Sequence, residues 1–134
     1  MDDEQLIEAA KSVRQNAHAP YSNYLVGAAI IDDRGDIHTG CNVENAAYPE
    51  GNCAEANAIG AMIAAGGKKI AVIAAVGGAE DLEFCTPCGG CRQCILEFSN
   101  ENTRVVLIDE EGEIHNYSID ELLPLAFRLR QARL

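Results

Sequence analysis

The sequence predicts a three-layer α/β fold, in which a single mixed β-sheet of about five strands is covered by helices on both faces. Segments with helical spacing of apolar residues alternate along the chain with short apolar runs of strand length. One of these runs, residues 70–76, is apolar at every position, which is typical of a strand buried on both faces. A chain of 134 residues has the size of one domain, and we expect residues 1–134 to form one.

The first half of the chain is predicted to form a helix, a hairpin and a second helix. Apolar residues recur with helical spacing over residues 3–17, and a proline soon ends this amphipathic helix. The runs 25–31 and 36–41 flank an acidic turn that contains glycine, as the strands of a hairpin do. The polar loop 42–52 then leads to an Ala-rich helix over residues 54–65, which two glycines end.

The second half is predicted to alternate strands and helices. The apolar strand 70–76 is followed by a loop and by a helix over residues 88–98, which begins directly after a proline. Strands follow at 104–108 and 113–117, on either side of an acidic turn with glycine. Residues 118–121, Ser-Ile-Asp-Glu, form a capping box that begins the last helix, and a nearby proline keeps that helix short.

The composition excludes several classes of partner. Lys and Arg total 10 against 21 Asp and Glu, a formal net charge of −11, so the chain lacks the basic surface that a nucleic-acid polymer requires. No apolar run approaches the length of a membrane span, and the acidic N-terminus is unlike a secretory signal. Six cysteines in such a chain indicate reduced thiols in the cytoplasm, used for metal binding or chemistry. We therefore expect a small neutral substrate and no membrane partner.

Two short segments carry the predicted chemistry: Cys53-Ala54-Glu55 and Pro87-Cys88-Gly89-Gly90-Cys91. Both are predicted to begin helices, where N–H groups and the helix dipole stabilise thiolates. Three thiolates without a fourth protein ligand are typical of a catalytic zinc site with an open position. Glu55, flanked by small residues, is predicted to be partly buried beside that position and to carry protons. Three other potential ligands lack metal-ligand spacing and are predicted to lie at the surface: His18, His38 and His115.

Other interpretations of these residues remain open. The run Cys85, Cys88, Cys91 and Cys94 would suit an iron–sulfur cluster, although it lacks the wider last gap and the Cys-Pro ending of the bacterial ferredoxin pattern. A structural zinc site with four cysteines would take Cys53 or Cys85 as its fourth ligand. A carboxylate in the first turn of a helix can also serve only to complement the helix dipole. Two cysteines are expected to be small buried residues: Cys41 and Cys94.

Several motifs spread over most of the chain occur together in one enzyme family. They are Ala19-Pro20-Tyr21-Ser22, Val26-Gly27-Ala28-Ala29, Thr39 to Tyr48, Cys53-Ala54-Glu55, Pro87 to Gln93, and Glu121 to Phe127. In these motifs the chain resembles the small zinc-dependent cytidine deaminases that act on free nucleosides and form homotetramers. The resemblance implies hydrolysis of cytidine or deoxycytidine to the uracil nucleoside and ammonia, as in pyrimidine salvage.

The resemblance also assigns site residues. It places Zn²⁺ on Cys53, Cys88 and Cys91 and the proton shuttle on Glu55. The residues that it implies for substrate binding within one subunit are Asn42 and Glu44, which hold the sugar hydroxyls, Tyr24, which stacks on the pyrimidine, and Ala54. The residues that it implies at a neighbouring subunit's pocket in the homotetramer are Ala46, Tyr48 and Phe127.

The chain departs from the family pattern at two positions. The family commonly has Arg directly after Cys-Ala-Glu, where this chain has Ala56, so a cation that offsets the thiolates is missing unless Arg92 or helix N–H groups replace it. The family's stacking Phe corresponds to Tyr24, whose hydroxyl changes the edge of the pocket. A blasticidin-type deaminase and a non-catalytic, zinc-stabilised oligomeric binding protein are the alternatives.

Overall fold

The structure, a computed structural model, describes residues 1–129. The elements in chain order are α1 (Asp3–Arg14), β1 (Leu25–Asp32), β2 (Ile37–Cys41), a 3₁₀ turn (Tyr48–Glu50), α2 (Ala54–Ala64), β3 (Ile70–Gly78), α3 (Gly89–Glu97), β4 (Arg104–Ile108), β5 (Ile114–Ser118) and α4 (Ile119–Leu122). Apart from the 3₁₀ turn, this is the order predicted from the sequence. Among the described residues, no helix combines the length and the hydropathy needed to cross a membrane.

The five strands form one mixed sheet in the order β2-β1-β3-β4-β5. Strand β1 pairs antiparallel with β2 and with β3, β3 pairs parallel with β4, and β4 pairs antiparallel with β5. The apolar run predicted to be a covered strand is β3, which lies at the centre of the sheet and has all but one of its residues buried. The predicted mixed sheet of about five strands is thus confirmed.

Helices cover both faces of the sheet, as predicted. On one face α1 packs against the strands through Leu6, Ile7 and Ala10, which join a cluster that includes Val76 and Val106. The residues that form the core of the other face come mainly from α2, α3, α4 and the alternate strand positions: Ala28, Ile30, Ala54, Ala58, Met62, Ile73, Ile95, Leu107 and Ile119. Because side chains alternate along a strand, neighbours such as Ala28 and Ala29 serve opposite cores.

The first helix ends earlier than its apolar pattern predicts. It stops at Arg14 rather than at residue 17, because the N–H groups of Asn16 and Ala17 bond to carbonyls three residues back. Arg14 is buried, and its guanidinium donates to the carbonyl oxygens of Leu25 at 3.1 Å and Gly78 at 2.6 Å. These bonds connect the end of α1 to the beginning of β1 and to the end of β3. The site residues lie near this end of the strands.

Candidate active site

The N-termini of α2 and α3 bring three thiols together on one side of the sheet. Cys53 is the N-cap of α2, and Cys88 is the N-cap of α3. Cys91 lies in the first turn of α3 and is buried. The Sγ atoms of these three residues all lie within 4.8 Å of one another. The structure therefore places the three sequence-predicted ligands in one group, although they are far apart in the chain.

The geometry of this group fits a zinc ion. Tetrahedral zinc with Zn–S bonds of about 2.3 Å places two sulfur ligands about 3.8 Å apart, so the thiols need to move little to bind it. The backbone N–H of Cys91 lowers the pKa of Cys88, whereas burial raises the pKa of Cys53 and of Cys91. Deprotonating all three thiols at neutral pH therefore needs a cation between them, which zinc supplies.

Glu55 is the one carboxylate of the α2 first turn, and only 4% of it is exposed. Burial raises the pKa of Glu55 above its usual range, and only its own backbone N–H acts in the opposite sense. Burial and then the charge of Glu55 also raise the pKa of Cys91, which indicates that the carboxylate lies close to the thiols. The 4% exposure of Glu55 confirms its predicted burial.

The first turns of α2 lie close against β2. A Cβ atom at Gly40 would fall 2.4 Å from the backbone nitrogen of Ala58 and 2.7 Å from the carbonyl oxygen of Ala54, so this approach requires glycine. Asn57 strengthens the contact, since its Nδ2 donates to the carbonyl oxygen of Cys41 at 2.8 Å. Asn57 is not among the sequence-predicted site residues, although a lone amide on an Ala-rich helix is a signal for such an anchor. Together these contacts fix the beginning of α2 relative to the end of β2.

The residues predicted to bind the sugar lie just beyond the β1–β2 hairpin pairing. The backbone N–H of Asn42 donates to the carbonyl oxygen of Val26 at 3.3 Å, whereas the N–H of Glu44 donates to that of His18 at 2.8 Å, so the chain has left β1 by Glu44. The Asn42 side chain uses both ends of its amide, because Oδ1 accepts from the Val26 N–H at 2.8 Å and Nδ2 donates to the Tyr24 carbonyl at 2.8 Å. Asn42 thus fixes the backbone at Tyr24, a structural role that its motif does not indicate.

Glu44 is held by the loop before β1. Its Oε1 accepts from the backbone N–H groups of Tyr21 at 3.0 Å and Ser22 at 3.1 Å, and its Oε2 accepts from the Ser22 hydroxyl. These bonds, with the Ser22 hydroxyl first, lower the pKa of Glu44 below its usual range. Glu44 is therefore a carboxylate at neutral pH, able to accept further hydrogen bonds from a ligand.

Tyr24 packs beside Cys85 at the end of β3. A Cβ atom at Gly77 would lie 2.7 Å from the Cys85 Sγ and 3.0 Å from the Tyr24 Cε1, so glycine leaves room for both side chains against the strand. Burial and then the Cys85 thiol raise the pKa of Tyr24, which keeps its phenol protonated. The ring of Tyr24 and the thiol of Cys85 thus both lie against the backbone of Gly77.

Three predicted site residues lie at the surface of the isolated subunit. Ala46 is exposed, and the exposed fractions of Tyr48 and Phe127 are 75% and 67%. The Tyr48 ring makes an edge contact with Tyr21, with centroids 5.9 Å apart, and the carbonyl of Phe127 accepts from Gln93 Nε2 at 3.1 Å. The structure does not bring them to the thiols, and their place at a neighbour's pocket stays a prediction.

Two predictions about burial were wrong. Cys94 is exposed rather than buried, because it faces outward from the short helix α3, and Cys41 is only partly buried. His38 is not a surface residue: its side chain is 8% exposed and its Nε2 lies 2.7 Å from the buried carboxylate of Asp32. The sequence does not indicate this pair, because Asp32 ends β1 and His38 lies in β2, on opposite sides of a polar turn, and only the hairpin brings them together.

The fold and the thiol–carboxylate site define the class of protein, a zinc-dependent deaminase and hence a hydrolase. The family model described as the cytidine and deoxycytidylate deaminase zinc-binding region matches residues 1–108, and the chain belongs to this family. The cytidine deaminase of Sporosarcina psychrophila is 41% identical over 95% of this chain and 92% of its own length. The cytidine deaminase of Halalkalibacterium halodurans is 39% identical over 95% of this chain and 95% of its own length.

Solved structures agree with these matches. The crystal structure of the cytidine deaminase from Burkholderia pseudomallei superposes with a TM-score of 0.86 and 44% identity, over 95% of this chain and all of that one. The cytidine deaminase from Mycobacterium tuberculosis gives a TM-score of 0.81 with 35% identity, over 96% of this chain and 99% of that one. The predicted fold class and zinc-dependent deaminase function are confirmed, and the blasticidin-type and non-enzymatic alternatives are not favoured.

Proposed function

We propose that this protein hydrolyses cytidine and deoxycytidine to uridine and deoxyuridine with release of ammonia. The observation that carries the proposal is the group of three thiols at two helix N-termini with a buried carboxylate, Glu55, beside it. Similar proteins that bear the name cytidine deaminase support the choice of base. The high acidity of the chain, with its net charge of −11, favours a neutral nucleoside over a phosphorylated one.

In this proposal Cys53, Cys88 and Cys91 are the zinc ligands. Zinc held there lowers the pKa of water towards neutrality and so supplies the nucleophile for C4 of the base. Glu55 takes one proton of the attacking water and delivers it to N3 of the pyrimidine, then takes the second proton from the new hydroxyl on C4 and gives it to the amino group as it leaves. Water and cytidine are consumed, and uridine and ammonia are formed, without a redox step.

The proposal also assigns residues to substrate binding. Glu44 and Asn42 bind the sugar hydroxyls through a carboxylate and an amide, groups that suit a neutral diol. Tyr24 stacks on the pyrimidine, and Ala54, at the first position of α2 between Cys53 and Glu55, lies against the edge of the base. The hydrogen bonds that join Glu44 to Ser22 and Asn42 to the Tyr24 carbonyl support this division between a sugar side and a base side.

Arg92 is proposed to supply the cation that Ala56 does not. It follows Cys91 directly, and its Nε donates to the carbonyl oxygen of Pro87 at 2.7 Å while Nη1 donates to that of Leu122 at 2.6 Å. Within residues 1–129 no carboxylate pairs with this guanidinium. Its charge is therefore anchored at the turn that carries two of the thiols, where it tempers their negative charge.

The proposal includes a homotetramer with shared pockets, acting in pyrimidine salvage in the cytoplasm. Exposed rings at Tyr48 and Phe127, together with exposed Ala46, are suited to complete a neighbour's pocket. Light scattering of active protein at micromolar concentration should give a mass of about 58 kDa, four times the chain mass of 14.4 kDa. A fully active monomer would contradict the shared pocket.

The six cysteines, all free thiols, suit a reducing compartment such as the proposed cytoplasm.

A direct assay tests the proposed reaction. Purified, zinc-loaded protein is incubated with cytidine or deoxycytidine, and the ultraviolet absorbance change and the released ammonia are both measured. Loss of the cytosine chromophore with one ammonia per nucleoside supports the proposal. A protein that contains zinc but releases no ammonia from either nucleoside would refute it.

A further inference from the structure

The hydroxyl of Ser22 joins two residues that serve different parts of the proposed substrate. It donates to Oε2 of Glu44 and its Oγ accepts from the backbone N–H of Tyr24 at 3.0 Å. Glu44 lies on the sugar side of the site, and Tyr24 lies on the base side. One small side chain therefore links the two sides by direct hydrogen bonds.

The loop that carries Ser22 has a conformation that makes both bonds possible. Asn23 has a φ of 57°, in the left-handed region that asparagine tolerates better than most residues, and its N–H bonds to the Ala19 carbonyl at 2.9 Å. The chain thereby turns back at Ser22, so that its hydroxyl reaches Glu44 on one side and the following backbone on the other. Asn42, which bonds to the Tyr24 carbonyl, completes the connection from β2.

Backbone groups alone do not set the orientation of Glu44. The N–H groups of Tyr21 and Ser22 both bond to Oε1, so they fix one oxygen and leave the carboxylate free to rotate about it. The Ser22 hydroxyl is the group that holds Oε2. Glu44 and Ser22 border an open recess of about 360 Å³, so this carboxylate is accessible to a ligand.

We propose that Ser22 is a positioning residue that fixes the sugar-binding carboxylate of Glu44 relative to the base-stacking ring of Tyr24. The inference rests on the proposed function and extends it to a residue that touches neither the thiols nor Glu55. Because Ser22 orders the substrate site before binding, its loss weakens nucleoside binding and leaves the chemical step intact.

The Ser22→Ala variant separates these effects. The KM for cytidine should rise about tenfold, since a charge-assisted bond and the acceptor for the Tyr24 N–H are both lost. The kcat should stay within about twofold of wild type, because proton transfer and zinc binding are unaffected. Ser22→Thr keeps the hydroxyl and should restore the KM to within about twofold. Zinc content and melting temperature are measured on the same preparations.

Ser99→Ala is the matched control. The Ser99 hydroxyl also makes an intramolecular hydrogen bond, to the carbonyl oxygen of Ile95 at 2.6 Å, but Ser99 follows the end of α3 that lies far from Cys88. This variant should lose a similar hydrogen bond with no change in KM. A general loss of stability would affect both variants alike, whereas a positioning role affects only Ser22.

The outcomes are distinguishable. An unchanged KM in Ser22→Ala, a fall in kcat with unchanged KM, or a Ser22→Thr variant as impaired as Ser22→Ala would each overturn the positioning role while the wild type still deaminates cytidine. A wild type without activity on cytidine would instead refute the proposed function, and this inference with it. A raised KM, a retained kcat and rescue by threonine support the positioning role.

Discussion

Replacing Glu55 with glutamine separates a proton carrier from a helix-stabilising carboxylate. Glutamine keeps the size of the side chain but cannot transfer a proton at this position. If Glu55 only complements the dipole of α2, its loss costs about 0.3–1 kcal/mol of stability and leaves turnover near wild type. If Glu55 serves the proton transfers proposed above, kcat should fall at least about 10³-fold, which corresponds to about 4 kcal/mol in the barrier.

The burial of Glu55 makes the stability side of this prediction sharp. Because the residue is 4% exposed, a neutral amide is easier to bury than a charged carboxylate, and the gain offsets the lost dipole interaction. We therefore expect Glu55→Gln to keep its zinc and a melting temperature within a few degrees of wild type. Turnover, zinc content and melting temperature are to be measured on one preparation.

A matched control is Glu4→Gln, which removes an exposed carboxylate from the first turn of α1, on the opposite face of the sheet from the thiols. It should lose a similar helix-dipole interaction and retain full activity. A zinc-replete Glu55→Gln enzyme with turnover near wild type would remove Glu55 from the mechanism. It would also remove the main reason for assigning a catalytic rather than a structural role to the zinc.

Two further predictions concern metal and acid. Cys85→Ser and Cys94→Ala should each keep about one zinc per chain by metal analysis, because neither thiol belongs to the group of three; loss of zinc in either would refute this ligand set. Burial raises the pKa of Asp32, but bonds from His38 and the N–H groups of Asp36 and Arg34 together lower it well below the usual range. Asp32 therefore stabilises the fold above its unfolded pKa of 3.8, and this contribution is lost as the pH falls further. Asp32→Asn should lower the free energy of unfolding by about 3 kcal/mol at pH 7, with a gap that narrows in acid; a gap independent of pH would contradict the argument.

The sequence predicts the elements of this fold well because each has a local signal. The apolar run of β3 and the capping box at Ser118 and Glu121 both appear in the structure as expected, and the box makes its two reciprocal bonds. The end of α1 lies three residues before the predicted one, and contacts with distant parts of the chain fix it there. Arg14 bonds to carbonyls of Leu25 and Gly78, and no pattern within the helix can indicate partners so distant in the chain.

For the site, the sequence predicts which residues meet but not what else they do. Metal-ligand spacing and helix N-termini suffice to group Cys53 with Cys88 and Cys91. Asn42 illustrates the limit: its motif indicates sugar binding, whereas the structure shows that its amide is also bonded to backbone on β1. Such bonds depend on strand register, which a single sequence leaves open until the hairpin is built.

The departure at Ala56 shows how the structure changes a conclusion drawn from a motif. From the sequence, a missing arginine next to Glu55 suggests an excess of negative charge, since three thiolates outweigh Zn²⁺ by one unit. In the structure, Cys53 and Cys88 lie at helix N-termini, where N–H groups and dipoles carry partial positive charge. Arg92 adds a full positive charge anchored at the Pro87 carbonyl, directly before Cys88. Under the proposed function, the cation that Ala56 does not supply therefore comes from Arg92 on α3 instead of from α2.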